Sequence, residues 1–220
     1  MRWGALLCAG LLAGQGAAQE APVAIGRISY GETMAPGAAI CTGALVAADL
    51  VLTARHCVEG AAADPASIRF AAGFAEGRSL ALRQGAEVIL PAGEVSAMHG
   101  NDVALLRLNT PISADEVAVL GLADPALADW VKGFTLIAYR RDAPDLAQRQ
   151  DDCALLTRLP GILALSCPVV SGNSGAPLLA WDGTDWRIVG VMVATSSGSA
   201  VQSLAATLPP DLVARITSAA

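Results

Sequence analysis

Residues 171–177 read Ser-Gly-Asn-Ser-Gly-Ala-Pro and lead directly into an apolar run over residues 178–181. Glycine tolerates positive φ and lets another chain approach closely. A turn with Gly172 and Gly175 around Ser174 can therefore present one hydroxyl and aim neighbouring N–H groups at a single point. Acyl transfer needs both a nucleophile and hydrogen-bond donors where the oxyanion forms. An ordinary loop is the alternative, because glycine and serine are common turn residues.

The composition describes a folded protein with a large core. The 220 residues are 54 % hydrophobic and only 15 % charged, which is unlike a disordered chain. This length allows one large domain or two small ones. The net charge is −6 and no run of basic residues occurs, so nucleic-acid binding has no electrostatic support and we expect no nucleic-acid partner.

Residues 1–19 have the layout of a secretory signal peptide. Arg2 precedes an apolar run over residues 3–12, and small residues follow up to Ala18. The run is too short to span a bilayer as a helix, and no later stretch is long and apolar enough to do so. We therefore expect cleavage after Ala18 or Gln19, a secreted or periplasmic protein, and no stable membrane insertion after cleavage. A membrane anchor is the alternative.

The cysteines after the leader are even in number: Cys41, Cys57, Cys153 and Cys167. An even number in an exported chain indicates disulfides, and four cysteines allow three pairings. Pairing by proximity joins Cys41 to Cys57 and Cys153 to Cys167. The second pair is favoured further because residues 153–167 read as a hairpin with a Pro-Gly turn. Metal binding is the alternative, but neither pair has metal-site spacing and the chain has 2 histidines, so we expect no metal.

Short apolar segments alternate with turn residues along the rest of the chain, a pattern typical of a barrel or sandwich. In the first half the folded part begins at 26–30, and strands are predicted over residues 39–46, 50–54, 68–72, 79–82, 87–90 and 103–108. In the second half strands are predicted over residues 134–139, 153–159, 162–167, 176–181, 186–193 and 201–204. Residues 111–125 read as a connector and 182–184 as a hairpin turn. A short amphipathic helix is predicted from Pro209 to Ser218.

A nucleophilic serine needs a base, which is usually a histidine, and the histidine needs an acid that fixes its tautomer. His56 follows an apolar strand and directly precedes Cys57; a buried structural histidine is the alternative. His99 lies in Ala-Met-His-Gly, which we interpret as an ordinary surface loop. Asp102 opens an apolar strand, where a buried carboxylate needs a partner such as an imidazole N–H. Capping of the strand end is the alternative for Asp102.

Three motifs resemble those of the trypsin-like (chymotrypsin-fold) serine proteases. The stretches Cys-Thr-Gly-Ala-Leu-Val at 41–46 and Leu-Thr-Ala-Arg-His-Cys at 52–57 are similar to the histidine region of that family. Asn-Asp-Val-Ala-Leu-Leu at 101–106 is similar to its aspartate motif, and residues 172–178 to its serine motif. The order His, Asp, Ser is also that of the family. The resemblance covers residues 26 to about 217.

The resemblance implies an all-β fold of two six-stranded antiparallel Greek-key barrels, with the site in the cleft between them and a short C-terminal helix. The first barrel, over residues 20–117, would carry His56 and Asp102. The second barrel, over residues 118–220, would carry Ser174 and the helix. We expect a monomer that needs no cofactor and acts on polypeptide substrates.

The resemblance also implies a role for each matched residue. Ser174 would attack the scissile carbonyl, His56 would take the proton and return it to the leaving amine, and Asp102 would orient the imidazole. The backbone N–H groups of Gly172 and Ser174 would form the oxyanion hole. Cys41–Cys57 would tie together the strands that carry His56.

One departure from trypsin concerns activation. Trypsin has an aspartate before the serine and a new Ile-Val-Gly-Gly terminus that pairs with it. This chain has Asn173 there, and residues 24–29 read Ala-Ile-Gly-Arg-Ile-Ser. The absence of the aspartate and the absence of the Ile-Val-Gly-Gly terminus are consistent with each other, because a buried terminal ammonium without its carboxylate partner would be costly. The Gly-Asn-Ser-Gly motif resembles the bacterial glutamyl-endopeptidase-like and HtrA-like branches. We predict no activation by a terminal salt bridge, which leaves room for another kind of propeptide within residues 20–30.

The specificity pocket is expected to be uncharged. In the family its walls come from the segment before the serine and from a later strand, which here contribute Val169, Met192, Val193 and Thr195. A pocket for lysine or arginine would need a buried carboxylate, and a glutamyl endopeptidase would show a histidine near Met192. Neither is present, so we predict a small or apolar side chain at the cleavage site. Thr195 stands where glycine is usual and would narrow the pocket.

The sequence thus predicts an exported serine endopeptidase. The alternatives are a latent or non-catalytic binding protein on the same fold, and a serine esterase with the same triad.

Overall fold

The computed structural model describes residues 22–31, 40–124, 127, 131, 133–196, 198 and 200–219. The predicted leader, residues 1–19, lies outside these residues. Within the described ranges, no helix is long and apolar enough to cross a membrane.

The first half of the chain forms a closed antiparallel barrel with the strand order β1-β2-β3-β6-β5-β4. Its strands are β1 (Ile25–Tyr30), β2 (Ile40–Ala47), β3 (Leu50–Thr53), β4 (Ile68–Ala72), β5 (Ala81–Ile89) and β6 (Ala104–Leu108). Every residue of β2 and β3 is buried. An unbroken apolar run fits a strand that is covered on both faces. For β2, one face fills the barrel and the other contacts the second half of the chain.

The second half forms one sheet with the order β10-β11-β14-β13-β12-β8-β9, with β7 paired to β13 in parallel. Its strands are β7 (Gly121–Leu122), β8 (Phe134–Arg140), β9 (Ala143–Cys153), β10 (Leu155–Leu159), β11 (Ile162–Leu165), β12 (Pro177–Trp181), β13 (Trp186–Thr195) and β14 (Ser203–Ala206). Ala154 alone separates β9 from β10, which stand at the two ends of this order. The sheet therefore curls back on what is nearly one continuous strand, and the disulfide Cys153–Cys167 lies at this junction.

The C-terminal helix α1, Pro210–Ala219, buries Leu212 and Ile216 against the larger hydrophobic core. Proline at the first helical position has the backbone angle that a helix needs and lacks only an N–H that would have no partner there. The two buried side chains are four residues apart, so they lie on one face of the helix. The predicted amphipathic helix is confirmed.

The prediction of an all-β fold is confirmed, and the first half is the predicted six-stranded antiparallel barrel. The prediction of a second six-stranded antiparallel barrel is corrected: the second half is one eight-stranded sheet, because β7 adds a parallel pairing to β13 and the polar strand β9 lengthens the order.

Three smaller details are also corrected. The strands predicted at 79–82 and 87–90 are one strand, β5, whose middle is polar and half exposed and therefore showed no apolar pattern. The connector at 111–125 contains the short strand β7. The long strand β9 was not predicted, because its residues are mostly polar and exposed and it is held by its pairing with β8.

Buried polar contacts join the two halves. The Tyr139 hydroxyl donates to the carbonyl of Phe74 over 2.8 Å, and Arg27 Nη1 donates to the carbonyl of Pro144 over 3.1 Å. The Arg27 guanidinium also lies 3.8 Å from the centre of the Phe74 ring. Burial raises the pKa of Tyr139 to about 12 and lowers the pKa of Arg27 below its ordinary value. These groups are costly to bury unpaired, so they favour one arrangement of the two halves.

The turn between β12 and β13 is held by one carboxylate, and the predicted hairpin at 182–184 is confirmed. Asp182 Oδ1 accepts the backbone N–H groups of Thr184 and Asp185, each over 2.8 Å. Asp182 Oδ2 accepts from Arg187 Nε over 2.6 Å. The Arg187 hydrogen bond, followed by the two backbone donors, lowers the pKa of Asp182 to about 2.

We predict that Asp182→Asn lowers the melting temperature near pH 7 and that the difference from wild type shrinks as the pH falls toward about 2. A carboxyl with a lowered pKa in the folded state stabilises the protein above its unfolded pKa, and this contribution is lost as the pH falls through the folded pKa. Thermal unfolding of both proteins across the acidic range measures the effect. Asp115→Asn, in an exposed loop, is the control. An equal difference at both ends of the range would contradict the assignment.

Candidate active site

His56 lies in a 3₁₀ turn, Arg55–Cys57, that follows β3 directly. The disulfide Cys41–Cys57 ties the end of this turn to β2, so both disulfides favoured by the cysteine pattern are present. The backbone N–H of Arg55 donates to the carbonyl of Asp102 over 3.2 Å. The turn is thus fixed to β2 by a covalent bond and to the segment before β6 by a hydrogen bond.

Asp102 holds His56 through both of its carboxylate oxygens. Oδ1 accepts the backbone N–H of His56 over 2.9 Å, and Oδ2 lies 2.8 Å from His56 Nδ1. Asp102 is 3 % exposed, whereas the side chain of His56 is 43 % exposed. An ionised carboxylate can only accept, so Nδ1 carries the hydrogen. Nε2 is then the nitrogen free to act as a base.

Ser174 lies in a loop from the second half that packs against β2 and β3. The carbonyl of Ser174 accepts the N–H of Thr42 over 2.8 Å. Gly175 has φ +81°, and a Cβ there would collide with the Thr42 carbonyl and the Thr53 hydroxyl and lie 3.0 Å from the nitrogen of Ala54. Ala54 directly precedes the turn that carries His56. This close approach, which only glycine allows, brings the loop of Ser174 beside His56.

In the described part of the chain, two N–H groups near Ser174 are left without a partner, and the carbonyls of their peptide units are hydrogen-bonded elsewhere. The carbonyl of Ser171 accepts the N–H of Arg141 over 2.8 Å, and the carbonyl of Asn173 accepts the N–H of Ala176 over 3.0 Å. In a trans peptide the N–H points opposite to the carbonyl. The N–H groups of Gly172 and Ser174 therefore point away from these partners, and among the described residues neither donates a hydrogen bond. They are available to a developing oxyanion.

The Asn173 side chain is held by hydrogen bonds between neutral groups. Its side chain is buried at 6 % exposure. Nδ2 donates to the carbonyl of Tyr139 over 3.0 Å, and Oδ1 accepts the N–H of Val170 over 2.8 Å. Both ends of the amide are paired with backbone groups, so the loop needs no ammonium to neutralise it. The absence of activation by a terminal salt bridge stays a prediction.

A pocket with a volume of about 390 Å³ opens beside Ser174. All four residues predicted for substrate binding line it: Val169, Met192, Val193 and Thr195. The remaining lining residues are His99, Val170, Ser171, Asn173, Ser174 and Ala194. Among the lining residues that the structure describes, none is a carboxylate, lysine or arginine.

The interpretation of His99 as an ordinary surface residue is incomplete. Its side chain is 46 % exposed, but it lines the pocket together with Ser174. His99 Nδ1 lies 3.7 Å from Asp102 Oδ2, because the N–H of Asp102 donates back to the carbonyl of His99 in a tight turn over 3.2 Å. In the sequence, only the position of His99 three residues before Asp102 could have indicated that the two side chains lie close together. Nothing in the sequence showed that this turn faces the cleft.

Within the described ranges, one group of three side chains comes close enough to suggest a metal: Cys41, His56 and Cys57. The two sulfurs are joined in a disulfide and cannot act as thiolate ligands. His56 alone remains, so this cluster does not form a metal site.

We predict that Asn173→Asp destabilises the fold by on the order of 3 kcal/mol, because a buried carboxylate would face the carbonyl oxygen of Tyr139 without a donor. Asn109→Asp is the matched control, since this exposed amide uses its oxygen as an acceptor for the N–H of Gln84, which a carboxylate can also do. Chemical denaturation of the three proteins measures the difference. A variant as stable as wild type would mean that a cation reaches residue 173.

Comparisons with known proteins agree with this geometry. The family model for the trypsin-like peptidase domain matches residues 41–191. Human transmembrane protease serine 5 is 32 % identical over 209 residues, which covers 76 % of this chain and 45 % of that protein. The chain thus spans less than half the length of this relative. The structure of the Vibrio cholerae VesB protease superposes with a TM-score of 0.72 at 15 % identity, covering 89 % of this chain and 64 % of that chain, and shows the same fold. The chain belongs to the family of trypsin-like peptidases.

Proposed function

We propose that this protein is an exported serine endopeptidase that hydrolyses peptide bonds through His56, Asp102 and Ser174. The observation that carries the proposal is the double hydrogen bond from buried Asp102 to His56. A nearly buried carboxylate that fixes a half-exposed imidazole beside a glycine-flanked serine serves general-base chemistry. The match to the peptidase family supports the same reaction class.

The reaction follows from the roles of the three side chains. Ser174 Oγ attacks the scissile carbonyl carbon while His56 Nε2 takes its proton, and the carbonyl oxygen becomes an oxyanion. Collapse of this intermediate breaks the C–N bond, and His56 returns the proton to the leaving amine. Water then attacks the acyl-enzyme with the same assistance and releases the acid. Asp102 accepts from Nδ1 throughout and stabilises the imidazolium.

The N–H groups of Gly172 and Ser174 are proposed as the oxyanion hole. The hydrogen bonds from Arg141 and Ala176 to the carbonyls of their peptide units support this proposal, because they turn both N–H groups away from these partners. One such donor is worth on the order of 3 kcal/mol of barrier.

The pocket supports a preference for small or apolar side chains on the residue that precedes the cleaved bond. Val169, Met192 and Val193 give it an apolar lining, and Thr195 adds a branched side chain at its wall. A charged substrate side chain would lose its hydration there without a charged partner from these residues.

The substrates are proposed to be polypeptides met outside the cytoplasm. Two disulfides, Cys41–Cys57 and Cys153–Cys167, are stable in oxidising compartments. We also propose a signal peptide at residues 1–19 and a boundary between the two barrels near residues 117–118. The proposed protein is a monomer.

The deciding experiment is the intact mass of the purified, oxidised protein after treatment with a fluorophosphonate. We expect a single adduct on the wild type and none on Ser174→Ala, because only an activated serine reacts. Asp102→Asn should react about 10⁴-fold more slowly, since it favours the wrong histidine tautomer. These results would support the proposed triad.

A folded wild-type chain that forms no adduct would contradict an active enzyme. Trimming the residues that precede β1, which begins at Ile25, and repeating the treatment then separates two explanations. A latent enzyme would gain the adduct after trimming, whereas a binding protein on the same fold would not.

A further inference from the structure

Thr42 makes four hydrogen bonds at the junction of the two halves. It lies on β2 and is 0 % exposed. Its N–H donates to the carbonyl of Ser174 over 2.8 Å, and its carbonyl accepts the hydroxyl of Thr53 over 2.8 Å. Its own hydroxyl donates to the carbonyl of Gly172 over 2.8 Å and accepts the N–H of Tyr139 over 3.0 Å.

The direction of these hydroxyl contacts is fixed. The N–H of Tyr139 can only donate, so Thr42 Oγ1 must accept from it, and the single hydroxyl hydrogen goes to the carbonyl of Gly172. A β-branched residue in a strand also has few allowed χ1 rotamers. Thr42 therefore presents one donor, in one direction, to one carbonyl of the serine loop.

That carbonyl belongs to the peptide between the two proposed oxyanion donors. The peptides on either side of it are held within the second half, by Arg141 and Ala176. The Gly172–Asn173 peptide is held at its N–H by the carbonyl of Val170 and at its oxygen by Thr42 from the first half. Gly172 has φ +102° and no side chain that could restrict its rotation. The carbonyl oxygen of Gly172 is therefore the point at which the first half restrains this peptide.

We propose that Thr42 is a positioning residue for the oxyanion hole, whose hydroxyl holds the Gly172–Asn173 peptide so that the N–H groups of Gly172 and Ser174 converge. The inference rests on the proposed function, because an oxyanion hole matters only if Ser174 reacts. Thr42 does not touch the reacting atoms. It acts through the carbonyl of Gly172.

The test compares Thr42→Val, which removes the hydroxyl at nearly constant shape, with Thr42→Ser, which keeps it. The substrate is a p-nitrophenyl ester of an N-blocked alanine, and the inhibitor is a peptide aldehyde ending in alanine. We expect kcat of Thr42→Val to fall about 10- to 100-fold with KM within about threefold, since a misplaced donor is missed mainly in the transition state. Affinity for the aldehyde, which forms an oxyanion-like adduct, should fall in parallel. Thr42→Ser should restore both.

Thr135→Val is the matched control. Thr135 is also buried on a strand, and its hydroxyl donates to Asp151 Oδ1 over 2.7 Å, but it contacts neither the loop nor the pocket in the described structure. We expect this variant to melt at a lower temperature with kcat and aldehyde affinity unchanged. It therefore measures what the loss of one buried hydroxyl does to stability alone.

Thr42→Val with wild-type kcat and aldehyde affinity, whatever its melting temperature, would overturn the inference and leave Thr42 a purely structural residue. If Thr42→Val does not fold, Thr42→Ser and Thr42→Ala provide the same comparison, because they differ only by the hydroxyl. Equal kcat in that pair would likewise overturn it. The failure of this inference can be distinguished from the failure of the proposed function. A wild type that forms no fluorophosphonate adduct overturns both. A wild type that forms the adduct, together with a Thr42→Val variant whose kcat and aldehyde affinity are unchanged, overturns this inference alone.

Discussion

The hydrogen bonds between β2 and the loop over residues 171–177 hold the two halves of the chain in one geometry. Each half has its own sheet, but His56 and Asp102 come from the first half and Ser174 from the second. The backbone and side chain of Thr42 both bond to the serine loop, and Gly175 lies against the end of β3. Under the proposed function, catalytic groups must be held within about 0.5 Å of their working geometry, so a site divided between the two halves depends on such buried, directional contacts.

The second requirement is a paired buried carboxylate. Asp102 is almost fully enclosed, and a carboxylate in such a place is stable only when its oxygens have donors. His56 supplies two of them, one from its backbone and one from its ring. The same contacts that make the aspartate tolerable also fix the orientation of the imidazole. Stability and chemistry therefore favour one arrangement here, although they often compete at active sites.

Much of this structure could be predicted from the sequence, and the exceptions have a common cause. The sequence predicts the strands with apolar runs, the C-terminal helix and both disulfides, because the residue patterns that indicate them lie close together in the chain. The strand β9 and the middle of β5 were missed, since their polar residues are held by pairing with a neighbour and carry no periodic pattern. The position of His99 in the pocket and the contact from Thr42 to Gly172 depend on groups far apart in the chain. A single sequence gives the types of such groups but not their distances.

Asn173 gives the serine loop a support whose strength does not depend on a charge. An amide pairs with a backbone carbonyl and a backbone N–H as soon as both are present in the fold. In a protein held by a terminal ammonium, a cut in the chain decides when the loop becomes ordered. Here, the contacts of Asn173 form within the second half, and Thr42 of the first half completes the loop when the two halves pack together. Under the proposed function, order in the serine loop would not wait for a cut in the chain, and restraint on activity would act on access to the cleft, through a segment or an inhibitor that occupies it.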